Sequence, residues 1–310
     1  MLSNIFNVVS SLLLSLILVD FALRLIRRER RVIKKYFSYT FLTLALTLTI
    51  RIGVQNYLHE FPSETESLSI IPFFAYENLY LKLLWLIYAL FVGYLRIISG
   101  VDDLIQVLSA FVLTSIGILV FERLSKREIH RKIVHIGLGS LIGYITFIKP
   151  LYGLSFMILL LVVGSFFYIA RGNELVSFFL KEYSKDGSGK EAFTLVIGIL
   201  LSSFIGVLLG INPYFVAFYL AWVDGLSAIF GIKSKGKSVK GLFGGIIGGV
   251  VSALATTTNP LFAIIIPFTE YKVRRVDDNL VIPIFTLLLY VLLINLSDVG
   301  LYYLSPHFPF

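Results

Sequence analysis

The sequence predicts an all-α fold, a polytopic transmembrane helical bundle of about 10–11 spans joined by short loops. Three observations predict it. The chain is 57% hydrophobic and only 15% charged, with a mean hydropathy of +0.87, whereas soluble domains carry about 25% charged residues. Apolar runs of ~17–25 residues, the length a helix needs to cross hydrocarbon, recur from end to end. Backbone groups in hydrocarbon must bond within their own segment, so each run is read as a helix.

The runs fall at 5–26, 37–58, 77–98, 104–121, 133–149, 151–170, 191–210, 213–231, 241–257, 260–271 and 280–303. The first has no basic leader and no clear cleavage site, so it reads as a retained span. The 260–271 run is short and carries Pro260 and Pro267, which fits a half-helix. No internal repeat, low-complexity segment or soluble domain is visible. Residues 1–121 are N-terminal membrane helices without an identifiable motif, and every motif falls in 122–310, the expected catalytic membrane domain.

The net charge of +8 sits in loops beside apolar helices. That pattern suits lipid headgroups or an anionic substrate and argues against nucleic acid. Without cysteine, disulfides and thiolate chemistry are excluded. Alternating the later spans puts loops 122–132, 171–190, 232–240 and 271–279 on one face, with 16 of the 27 Lys and Arg residues. The positive-inside rule makes that face cytoplasmic. The run from Arg24 to Lys35 should be cytoplasmic too, yet three apolar runs separate it from Arg123. An odd number forbids this, so either one of 37–58, 77–98 and 104–121 does not cross or the 68–77 segment re-enters.

Three clusters carry the chemistry. Glu128, Arg131, Lys132 and His135 share one helical face at a span mouth. They suit phosphate binding, Arg as a fork and Lys as a point charge, or they are snorkelling anchors. Asp224 lies inside an apolar helix, where a carboxylate is costly and marks function by default. Behind it a loop holds Lys233, Lys235, Lys237, Ser238, Lys240 and Gly241. Such Gly- and Lys-rich loops cradle phosphates, although the P-loop order is absent. Gly241, Gly244, Gly245, Gly248 and Gly249 follow at spacings that allow close helix packing. Asp277, Asp278 and Asn279 at the last helix start serve either as an N-cap or as oxygen ligands for Mg²⁺.

Taken together, these clusters resemble the dolichol kinase/phytol kinase family of CTP-dependent polyprenol kinases. The residues that match are Glu128, Arg131, Lys132 and His135; Asp224, Gly225, Ala228 and Gly231; Lys237, Ser238 and Gly241; and Glu270, Asp278, Asn279 and Pro283. The match covers about 122–290. Two positions depart from the family pattern: Lys240 stands where a Glu is usual, and Val223 where a Gly is frequent.

The resemblance implies transfer of the γ-phosphoryl group of CTP to the hydroxyl of an isoprenoid alcohol of dolichol, phytol or geranylgeraniol type. It further implies CTP phosphates on Lys233, Lys235, Lys237, Ser238 and Gly241, and Mg²⁺ held by Asp224 and Asp278 with Asn279 beside them. Arg131 and Lys132 would stabilise transferring charge, and His135 or a carboxylate would orient or deprotonate the hydroxyl. The rival expectations are a CTP:phosphatidate cytidylyltransferase and an anion transporter.

Overall fold

A computed structural model describes residues 2–54, 62–124, 126–185, 187–232, 237–273 and 277–298. These residues are helical with no strand among them, and they divide into two compact units, Met1–Ser125 and Lys126–Phe310. Eight helices among the described residues are long and apolar enough to cross a membrane, as a multi-pass membrane protein requires.

In the first unit, α1 (Leu2–Ile26), α2 (Arg30–Val54), α5 (Leu79–Ile98) and α6 (Leu104–Leu124) are long, and α3 (Glu64–Ser69) and α4 (Ile71–Ala75) are short. The core is built by Ile33, Tyr36, Tyr39, Leu42, Ile52, Ile70 and Ile71, all buried. The α3–α4 pair explains the parity conflict. At one end, Ser63 Oγ donates to Asp102 Oδ2 in the α5–α6 turn at 2.6 Å, and Glu64 pairs with Arg51 near the end of α2. At the other end, Glu77 lies 3.8 Å from Lys35 at the start of α2, and Lys35 lies 3.8 Å from Glu122 at the end of α6.

Residues 63–77 therefore run the length of the unit, as do α2, α5 and α6. Four traverses make an even number, so the Arg24–Lys35 run and Arg123 share one end. Hydropathy misses this traverse because α3 reads ETESLS. Its serines are buried and satisfied locally, Ser67 and Ser69 donating to the carbonyls of Ser63 and Glu66 at 2.9 and 2.8 Å.

The second unit comprises α7 (Arg127–Ile148), α8 (Pro150–Ile169), α9 (Glu174–Tyr183), α10 (Lys190–Leu208), α11 (Tyr214–Tyr219), α12 (Gly225–Gly231), α13 (Val239–Thr256), α14 (Phe262–Lys272) and α15 (Asp278–Asp298). A π-helical turn, Leu220–Asp224, joins α11 to α12 in one continuous rod. Phe215, Tyr219, Phe262, Ile142 and Tyr290 centre the core, with Phe215 stacked on Tyr290 at 4.4 Å between ring centroids.

Two boundaries differ from the sequence expectation. Arg127–Lys132, read as loop, is the first turn and a half of α7. Within the 171–190 stretch, also read as loop, residues 174–183 form the amphipathic helix α9, capped by Asn173. The 260–271 run is α14, 11 residues long with Pro267 inside, the half-helix its length and prolines indicate.

Candidate active site

Asp224 organises the site. It ends the π turn, whose wider i→i+5 bonding is characteristic of functional positions in helices. Two glycines let neighbouring helices approach this turn. A Cβ at Gly139 of α7 would collide with Ala221, and one at Gly248 of α13 would collide with the Trp222 carbonyl. With α7 drawn in this closely, Lys132 Nζ donates to Asp224 Oδ2 at 2.7 Å. The two side chains are 10% and 12% exposed, so the carboxylate is buried but paired, as burial of a charge demands.

His135, one turn further along α7, brings Nε2 to 3.2 Å from the same oxygen. That nitrogen is buried and makes no aligned hydrogen bond, while the ring bonds the backbone of Leu220 within the π turn. Arg131 is fixed between Glu128, at 2.9 Å, and Glu191 at the start of α10.

Two further carboxylates come from α14 and α15. Glu270 Oε2 accepts from Ser227 Oγ at 3.1 Å. Lys237 Nζ donates to Asp278 Oδ1 at 2.8 Å and to the Glu270 carbonyl, and lies 3.5 Å from Glu270 Oε1. One ligand oxygen from each of Asp224, Glu270 and Asp278 lies within 4.8 Å of the others. These groups line one cavity of about 480 Å³ together with Arg131, Lys185, Ser238 and Gly241. An all-oxygen donor set of this size fits a hard divalent cation such as Mg²⁺. Lys132 and Lys237 neutralise it here.

The sequence-derived site residues sort as follows. Arg131, Lys132, His135, Asp224, Lys237, Ser238, Gly241, Asp278 and Asn279 all line the one cavity, although they come from four separate stretches. Ser238 is also the N-cap of α13, its Oγ accepting from Gly241 N–H at 3.1 Å. Asp277, not Asp278, caps α15, its Oδ1 accepting from Asn279 N–H at 2.9 Å. Asn279 turns its amide nitrogen away to Thr194 Oγ1, 3.1 Å distant on α10. Lys233 and Lys235 lie outside the described residues.

An uncharacterized protein of Methanocaldococcus jannaschii is similar to this chain. The two are 29% identical over 173 residues, covering 51% of this chain and 89% of the relative. No protein-family profile and no solved structure matches.

Sequence reasoning left two residues of the cavity without roles. Glu270 was noted only as part of the resemblance, and its signal is that of Asp224, a carboxylate in an apolar helix. Glu191 belongs to none of the motifs; its partner Arg131 is 60 residues away in sequence, and no local pattern announces such a pair.

Proposed function

We propose that the Lys126–Phe310 unit transfers the γ-phosphoryl group of CTP to the hydroxyl of an isoprenoid alcohol at the cytoplasmic surface of the membrane. The observation that carries this reading is the convergence of four cations, the Asp224, Glu270 and Asp278 carboxylates and a buried histidine nitrogen in one cavity at the basic end of the unit. Phosphoryl transfer needs little covalent work from a protein; positioning and charge neutralisation dominate. A transporter would instead gather its polar groups at mid-membrane. The choice of CTP and of an isoprenoid rests on the motif resemblance, and the cytoplasmic side on the basic loops.

Asp224, Glu270 and Asp278 would hold Mg²⁺, which when bound neutralises phosphate charge. Lys132 and Lys237, already at the carboxylates, and Arg131 reach the phosphate oxygens. His135 Nε2 accepts the proton of the hydroxyl as its oxygen bonds to the γ-phosphorus and the bond to the departing CDP breaks. Asp224 Oδ2 lies 3.2 Å from that same nitrogen, so the proton taken up there is shared with the carboxylate.

The test is purified full-length protein with Mg²⁺, a panel of isoprenoid alcohols and phosphatidate, and CTP labelled at the α- or γ-phosphate. Label from the γ-position in an alcohol is the expected result. Label from the α-position in a lipid would make the protein a cytidylyltransferase, and none from either would leave a transporter.

A further inference from the structure

A second cavity, of about 230 Å³, opens between α7, α8, α9 and α10, and its walls are hydrocarbon: Leu138, Leu161, Phe167, Leu180, Phe193 and Val196. Three strips of chain lead into it from the polar cavity. On α7, His135 lines the polar cavity and Leu138, three residues on and on the same face, lines the apolar one. On α10, Glu191 lines the first and the adjacent Ala192 the second. In the segment before α10, Lys185 lines the first and Ser188 and Gly189 the second. The same three strips of chain thus wall both cavities, and the Arg131–Glu191 ion pair stands on the polar side. Amphipathic α9 forms one wall through Leu180, and Arg127 of α7 ties down its C-terminal end by donating to the carbonyls of Lys181 and Ser184.

A molecule that fits both cavities has a polar head and a hydrocarbon tail leaving it directly. From this continuity we infer that the apolar cavity holds the first isoprene units of the acceptor alcohol, with its hydroxyl reaching past Arg131 and Glu191 toward His135. The assignment rests on the proposed phosphotransfer. Lipid tails are as apolar as leucine, so moving the chain from bilayer to cavity gains little hydrophobic energy. The cavity contributes orientation instead, placing a hydroxyl on an otherwise mobile chain within reach of the base.

The test is photolabelling of the full-length protein with a long isoprenoid alcohol carrying a diazirine in its second isoprene unit, without CTP. Adducts are expected within 160–168 and 189–196, competed by unlabelled alcohol but not by phosphatidate. Adducts elsewhere, or competition by phosphatidate alone, would overturn the assignment. Ala192→Trp, at an exposed wall position, should raise KM for the long alcohol at least about tenfold and leave KM for CTP within about twofold. An equal rise for both substrates, or no rise for the alcohol, would also overturn it. Because labelling needs no turnover, the two readings separate. Adducts in the cavity without any γ-label transfer would sink the kinase and keep the cavity as a lipid-alcohol site. Transfer with adducts elsewhere would sink the cavity alone.

Discussion

Asp224 combines two demands that are separable by mutation. As a buried charge it depends on Lys132, and as a site residue it is proposed to hold cation and steady His135. Asp224→Asn keeps size and shape, so the protein should fold while phosphotransfer falls by about 10²–10³-fold or more, read with γ-labelled CTP. Lys132→Met leaves the carboxylate buried and unpaired, and should destabilise the second unit by about 3–5 kcal/mol. The double variant Lys132→Met/Asp224→Leu removes both charges. It should regain most of that stability in thermal unfolding and still show no activity. Recovery of stability and activity together would remove the pair from the site.

These residues were legible because an ionisable group in an apolar helix has few structural excuses. Asn279 was less so. Its place beside Asp278 suggested a ligand, but which way an amide turns depends on Thr194, 85 positions away in sequence.

At the scale of the element, the glycine run of α13 was readable as a packing face, and Gly244, Gly248 and Gly249 do lie against Leu226, Trp222 and Ala263. What spacing does not tell is the partner. For Gly244 and Gly248 that partner is the rod holding the π turn, and for Gly249 it is α14, so two of the glycines that pack α13 also position Asp224. Gly248→Val should therefore cost about 1–3 kcal/mol and most of the activity, both measurable on detergent-purified protein. Gly172→Ala is the control: nothing stands within 4 Å of its added Cβ, and it should change neither. Helix α9 escaped sequence reading because its polar face and the charged residues around it resemble a loop. Its apolar face is visible only once Leu175, Val176, Phe178, Phe179 and Leu180 are set on a helix.

For the whole molecule, the sequence placed nearly every long helix, and registered the passage built from buried serines and a glutamate only through the charge conflict, with re-entry of 68–77 as one of two explanations. The consequence is testable, because a chain without cysteine accepts single cysteines as clean reporters. Arg31→Cys and Glu77→Cys should react with an impermeant thiol reagent from the same side of sealed vesicles, and Asp103→Cys only from the other. If Glu77→Cys and Asp103→Cys were modified from one side, residues 63–77 would not traverse the unit.

The π turn also bears on the winding of this helix. A π turn is an α-helix holding one surplus residue. Removing one residue from Leu220–Asp224 would restore regular winding within the turn, while the surplus it absorbs leaves the faces of Tyr214–Tyr219 and Gly225–Gly231 in register with one another. The turn therefore lets the rod carry one more residue beside Asp224 without disturbing the packing of α11 on α7 or of α12 on α13.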